Sequence, residues 1–214
     1  MQKKMLDFAS SRGLALPQEA TEQLALYADL VWQKKDFLNL TSVGEKEEIF
    51  TRHLCDGLSA AAFLALEAKQ DCFSVADMGA GAGYIGLSVA AALPKAQVTL
   101  VESLQKRCSF MNWVILKLGL KNASVLCARL GQKDVGTFDF VTERAMGQIN
   151  DILPLIAPCV KEGGLFLPYQ SDPAEAQKSL LEKLGFSAKT PVSYTLPEEK
   201  KERFLAIFKK EWTL

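Results

Sequence analysis

The chain has a single histidine, His53, and five cysteines, at 55, 72, 108, 127 and 159. No two of these cysteines form a C-x-x-C pair and their number is odd, which argues against a disulfide framework or a zinc site. Reduced thiols buried as small hydrophobes are expected, and no metal. An excess of one charge is also missing: 25 basic and 25 acidic residues cancel. Bulk electrostatics therefore cannot draw in nucleic acid, and a polyanionic partner must meet a local patch. Long apolar runs are absent. The run at residues 60–66 falls far short of the roughly 20 residues that cross a bilayer. The opening MQKKMLDFAS carries lysines without an apolar stretch behind them, so neither a membrane span nor a signal peptide is expected, and the cytoplasm is the expected compartment. Low-complexity tracts and Gly/Ser/Pro-rich linkers are lacking too, while 49% of residues are hydrophobic and 23% charged. Disorder is excluded, and the 214 residues suffice for a sizeable core.

Residues 1–68 read as a helical extension, because apolar residues recur there at three and four spacings. Pro17 and Glu19 open the clearest helix, whose stripe is Leu24, Tyr27, Leu30 and Val31 and whose last turn carries Lys34 and Lys35. A polar break is expected from Asp36 to Thr41. Ser42 with Glu45 then suggests a capping box before one or two helices around Gly57. From residue 72, within a domain expected over residues 69–214, the rhythm changes to short β runs alternating with helical stretches: residues 73–77, 97–102, 123–127, 138–142 and 164–168. Such alternation predicts βαβ units and a parallel sheet covered on both faces. A helix is expected near residues 173–184. The runs 189–196 and 203–209 are separated only by a polar turn, too short for a helical crossover, so they should pair antiparallel. The expected fold is α/β with seven strands, mostly parallel, the last one reversed.

The sharpest motif is DMGAGAGYIG, from Asp77 to Gly86, between the first strand and an apolar helix. Glycines at 79, 81 and 83 allow a tight turn and let a ligand approach the main chain. The next strand ends in Glu102, whose carboxylate can accept ribose hydroxyl protons in the adjacent crevice. The spacing Gly81-x-Gly83-x-x-Gly86 also fits an NAD(P) oxidoreductase, a weak signal taken alone. Asp77 argues against that reading, because it would repel a pyrophosphate and suit a cationic ligand such as the amino group of S-adenosylmethionine. The reversed seventh strand also favours a methyltransferase.

These motifs carry a resemblance. DMGAGAGYIGLSVA, VESLQKR, LNLTSV paired with TRHLCDGL, TERA at 142–145 and KERFLAIFKK are similar to the bacterial small-subunit (16S) rRNA guanine-N7 methyltransferases, the glucose-inhibited division protein B family. The similarity runs from about Asn39 to Lys210. It implies a class I, Rossmann-like S-adenosylmethionine-dependent methyltransferase, with ribosomal RNA or the small ribosomal subunit as partner and a monomer as the working unit. Three departures stand out: Ile85 replaces a family proline, the stretch Arg129, Leu130, Gly131 and Gln132 replaces arginine-alanine-glutamate-glutamate, and Tyr169 or Gln170 replaces a lysine.

By this resemblance Asp77, Gly79, Gly81, Gly83, Tyr84, Glu102, Ser103, Leu130, Gly131 and Arg144 hold the cofactor. Asn39, His53 and Arg144 belong to the catalytic site, and Arg129 and Arg203 contact RNA. Each has a plainer reading. Asn39 could cap a helix, His53 could be structural, and Arg129, Arg144 and Arg203 could be surface or ion-paired arginines. Lys106, Arg107, Lys117, Lys121, Lys200, Lys201, Lys209 and Lys210 supply basic patches, most of them solvated surface. Trp32, Trp113 and Phe110 suit a core better than base stacking. Pro158-Cys159 mimics a cytosine-C5 nucleophile but falls in a helix-forming stretch and reads as a buried thiol. No Asn-Pro-Pro-aromatic stretch follows strand four, which leaves a ring nitrogen as the target. The rivals are a methyltransferase acting on a small molecule or protein, an NAD(P) oxidoreductase and a non-catalytic RNA-binding module. Methyl transfer to bulk RNA separates the first, and cofactor binding separates the others.

Overall fold

The computed structural model describes residues 1–172 and 176–212. Its strands are β1 (Phe73–Met78), β2 (Ala96–Glu102), β3 (Ala123–Cys127), β4 (Phe138–Glu143), β5 (Val160–Gln170), β6 (Phe186–Thr195) and β7 (Glu202–Lys210). They form one sheet in the order β3-β2-β1-β4-β5-β7-β6. β3, β2, β1, β4 and β5 pair in parallel, while β7 lies antiparallel between β5 and β6. This is the expected sheet with its last strand reversed. The strand order turns back between β1 and β4, the switch point where open α/β sheets make a crevice beyond their carboxyl ends.

Four helical segments precede the sheet: α1 (Gln2–Ser11), α2 (Gln18–Leu38), α3 (Lys46–Ile49) and α4 (Cys55–Glu67), the last two joined by a π turn, Phe50–Leu54. Their buried Met5, Leu24, Tyr27 and Leu54 share one core with Val75 and Leu100 of the sheet and with Leu87 of the helix that follows β1. A second core on the other face gathers Val141, Leu153, Ile156, Phe166 and Phe208. The remaining helices are α5 (Tyr84–Ala92), α6 (Gln105–Leu118), α7 (Ile149–Ile156) and α8 (Lys178–Lys183). All nine residues of α5 are buried. Gly57 explains how α4 reaches it: a Cβ there would come within 2.4 Å of Ser88 Cβ and 2.7 Å of the Tyr84 carbonyl. Any larger residue would push α4 away from the glycine loop.

Several local expectations change. α2 runs to Leu38, through the expected polar break, because Asn39 takes a left-handed conformation with φ 50° and closes the helix there. The capping box sits three residues later than expected: Glu45 is the cap, and Glu48 accepts from the backbone N–H groups of Gly44 and Glu45 at 2.8 and 3.0 Å. β5 starts at Val160, so Lys161 to Gly164 are strand. α8 begins at Lys178, and the expected start at Pro173 lies outside the described residues. Cys72 and Cys127 are exposed instead of buried. The stretch Lys46–Glu67 has the length and mean hydropathy, 1.2, of a bilayer-crossing helix, but 78% of its most apolar window is buried inside the fold. It is a core helix here.

Candidate functional site

The glycine loop leaves β1 at its carboxyl end and turns back into α5. Gly79, Gly81 and Gly83 take φ of 64°, 62° and 92°, values that residues with a Cβ rarely adopt. Their roles differ. A Cβ on Gly79 would strike Met146 Cγ at 2.3 Å, and one on Gly83 would meet Leu87 at 2.8 Å. A Cβ on Gly81 would meet nothing nearer than the Gly79 carbonyl at 3.9 Å, so this is where the loop leaves open space for a ligand. Glu102 braces that edge. One oxygen accepts the Gly81 N–H at 2.9 Å, and the other accepts the N–H groups of Ser103 at 2.8 Å and Leu104 at 2.9 Å. With roughly two lone pairs per oxygen, only the oxygen facing Gly81 keeps a free one. Glu102 can thus take one ribose hydroxyl in this arrangement, not the two expected.

Asp77 is 2% exposed. It accepts the Gly86 N–H at 2.9 Å and the Thr142 hydroxyl at 3.0 Å, which ties β1, the first turn of α5 and β4 together beneath the loop. Burial pushes its carboxyl up to about 6. Asp77 is therefore a brace under the loop, not an acceptor open to an ammonium group. Glu143 is similar: it accepts the Met146 N–H at 2.6 Å, and burial pushes it up to about 7.

On the other side of Tyr84 lies a cluster centred on Asp56, which is fully buried. One oxygen of Asp56 accepts Tyr194 Oη–H at 2.6 Å. The other takes Arg144 at 2.6 Å and Arg203 at 3.3 Å. Its backbone carbonyl accepts Tyr169 Oη–H at 2.7 Å. Burial holds both phenols above their ordinary range, so they stay protonated and donate. A buried carboxylate with fewer partners would cost several kcal/mol, and here α4 brings Asp56 to partners from the end of β4 and the β6–β7 hairpin. Arg144 then reaches back: its guanidinium lies 5.5 Å from the Tyr84 ring centre and 3.4 Å from His53 Nδ1.

His53 sits in the π turn before α4, a widened turn of the kind that recurs at functional sites. Its ring stacks on Tyr84 with centres 4.2 Å apart, and Nε2 is 2.8 Å from Thr41 Oγ1. Burial, then the fields of Arg144 and Arg203, pull its pKa down to about 3. His53 is neutral at neutral pH. Since Arg144 can only donate to Nδ1, the proton belongs on Nε2, where it points at Thr41.

Asn39 ends α2, its side chain exposed and its carbonyl accepting from Arg107 at 3.3 Å, with Arg107 3.8 Å from Glu102. It lies at the rim of the cofactor side, away from the Asp56 cluster. Ser103 is exposed beside Glu102. Arg129 is exposed, Leu130 packs on the second core, and Gly131 turns the loop with φ 81°. Arg203, the second residue of β7, is shared between Asp56 and Glu199. A cavity of about 320 Å³ is lined by Asp56, Arg144, Gln170, Tyr194, Lys201 and Arg203. A larger one, about 1120 Å³, lies at the opposite, amino ends of the parallel strands. Carboxyl-end placement beside the glycine loop favours the smaller cavity.

Four residues of this cluster, Asp56, Tyr169, Gln170 and Tyr194, were not among the expected site residues. Asp56 was visible only as the last member of R-H-x-x-D, and nothing marked Tyr194. Gln170, one of the two residues expected to replace a family lysine, has both amide atoms buried without a partner on the cavity wall.

The model of a family described as rRNA small subunit methyltransferase G matches residues 20–206. The chain belongs to the rRNA small subunit methyltransferase G family. Relatives of that name are 34% identical in Lachnoclostridium phytofermentans, covering 94% of this chain and 85% of the relative, and 31% identical in Limosilactobacillus reuteri, covering 94% and 87%. The family's fold is shared by more distant structures. Magnesium protoporphyrin IX methyltransferase from Synechocystis, solved with S-adenosylmethionine bound, superposes with TM-score 0.64 at 13% identity, over 92% of this chain and 99% of that one. TrmN from Thermus thermophilus gives 0.57 at 20% identity, over 72% and 48%. The fold is that of class I methyltransferases, as the sheet order already required.

Proposed function

We propose that this chain transfers a methyl group from S-adenosylmethionine to N7 of a guanine in 16S ribosomal RNA. The observation that carries the reading is Arg144, which joins two half-sites: its guanidinium lies over Tyr84 at the end of the glycine loop and also lines the cationic cavity beside Asp56. The residues present fit the cofactor, because Gly81 leaves open space and Glu102 keeps an acceptor facing it. When bound, S-adenosylmethionine supplies an electrophilic methyl group on a sulfonium. Asp77 favours that cation by its charge and by holding the loop. Gly79, Gly83, Tyr84, Ser103, Leu130 and Gly131 shape the remaining walls.

Guanine N7 has an in-plane lone pair that is free at neutral pH, so no proton need leave before it attacks. The task left to the protein is orientation, worth up to about 7 to 11 kcal/mol in well-aligned cases. His53, already neutral, fits a positioning role: it stiffens Tyr84 and Arg144. Asp56 neutralises one of its two arginines, so a base gaining positive charge does not face an uncompensated pair of cations. Arg203 is further paired with Glu199, so the positive charge left for phosphates is that of Lys201 and exposed Arg129. Gln170 lines the same cavity, and its unpartnered amide, now buried, would have to turn outward to meet a base edge. Asn39 borders the cofactor side of the same cleft. Residues 1–68 act as a helical cap on a methyltransferase domain of residues 69–214, working as a monomer in the cytoplasm where ribosomes assemble. Nothing in the chemistry calls for a metal.

The test is reverse-transcription mapping of 7-methylguanosine in 16S rRNA from cells with and without the gene, paired with labelled methyl transfer to naked 16S rRNA and to 30S subunits. One guanine should lose its methyl group without the gene. An unchanged rRNA map, with transfer only to a protein or small molecule, would overturn the assignment.

A further inference from the structure

The sulfur atoms of Cys108 and Cys127 lie 2.6 Å apart. They come from different elements. Cys127 is the last residue of β3, in register with Glu102, and Cys108 lies in the first turns of α6. Their surroundings are unequal: Cys127 is exposed, whereas Cys108 is buried and donates to the Glu102 carbonyl at 3.3 Å. Among the described residues the other three cysteines form no such pair, and Cys72, equally exposed, has no thiol partner.

We propose that Cys108 and Cys127 are an oxidation site, a dithiol that peroxide closes into a disulfide joining α6 to the end of β3 beside the ribose-binding carboxylate. The roles follow from exposure. Cys127, as thiolate, attacks a peroxide oxygen, the O–O bond breaks, and Cys127 becomes a sulfenic acid while one oxygen leaves as water. The Cys108 sulfur then attacks the Cys127 sulfur, its proton leaves with the sulfenic oxygen as a second water, and the S–S bond forms. Two thiols are oxidised and one hydrogen peroxide is reduced to two waters. Little movement is needed, since a disulfide is about 2.05 Å long and the sulfurs already touch. The carboxylate of Glu102 is held by backbone N–H groups and not by either thiol, so its grip on the loop survives the reaction. Oxidation therefore staples the fold instead of opening it.

The experiment is peptide mass mapping of the reduced protein after limiting hydrogen peroxide. A Cys108–Cys127 disulfide, reversed by dithiothreitol, should appear while Cys72 remains a thiol. In Cys108→Ser the sulfenic acid on Cys127 has no partner thiol and should be trapped by dimedone. The oxidised wild type should melt higher by roughly 5 to 10 °C, because the bridge shortens the unfolded chain's freedom. Disulfides mapped to other cysteines, Cys72 oxidised ahead of the pair, or an unchanged or lower melting point would overturn the proposal. The wild-type mapping needs no variant, so a misfolded serine mutant leaves the test intact.

Discussion

Replacing His53 with asparagine should change how stability depends on pH, and the structure sets the size. The imidazole titrates near 6.5 in an unfolded chain and near 3 in the fold, chiefly because it is buried and then because Arg144 and Arg203 face it. A depressed pKa means that the folded state refuses a proton the unfolded state accepts. Its contribution is intact above about pH 6.5 and is lost progressively as pH falls toward 3. At pH 4.5 the unfolded chain has gained about two pH units of protonation free energy, about 2.7 kcal/mol at 1.36 kcal/mol per unit. Asp77 and Glu143 act in the opposite direction. Their raised pKa values give stability that is present at low pH and lost as pH rises through about 6 and 7. Both remain in the variant, so the difference between the two proteins isolates His53. Urea unfolding at pH 7.5, 6, 5 and 4.5 should show wild type losing about 2 to 3 kcal/mol relative to His53→Asn between the extremes. Parallel curves would mean that the ring is solvated, and the positioning role would fall with it. Single-turnover methyl transfer at saturating RNA and cofactor should accordingly stay nearly flat from about pH 6.5 to 8.5. A tenfold rise through that range that vanishes in His53→Asn would identify a general base and a proton-bearing target.

Asp56→Asn keeps an acceptor for Tyr194 but removes the charge shared by Arg144 and Arg203; it should destabilise by about 3 kcal/mol, the lower edge for breaking a buried pair, as measured by denaturant titration. Glu102→Ala should weaken S-adenosylhomocysteine binding by about 1.5 kcal/mol in calorimetry, since one acceptor is free, and tight NAD binding would count against the cofactor assignment. Arg129→Ala should lower the slope of log K for RNA against log salt by about 0.7 to 0.9 without affecting stability, whereas Arg203→Ala should do so only together with a loss of stability from Asp56. Gln170→Ala should reduce kcat/KM on RNA more than cofactor affinity. Equal effects on both would remove Gln170 from the substrate side.

The periodic parts of this protein follow from local order along the chain. Strand–helix alternation after residue 72, the short turn between the last two strands, and a glycine loop between a strand and an apolar helix depend on neighbours in the chain, and the sheet appeared as those patterns required. Boundaries were less legible: Ser42 with Glu45 suggested the capping box, and only the fit of Glu48 against Gly44 and Glu45 moved the cap to Glu45. The site's logic lay further out of reach. Asp77 looked like an open acceptor because a sequence does not say which way a carboxylate turns, and packing of α5 against β1 turned it under the loop. Asp56 meets Arg144, Tyr194 and Arg203 at separations of 88, 138 and 147 residues. No local pattern encodes such a meeting. It exists because the sheet order leaves only β5 between β4 and the β6–β7 hairpin, and because Gly57 lets α4 press closely against α5, which carries Asp56 to the side chains of Arg144, Tyr194 and Arg203.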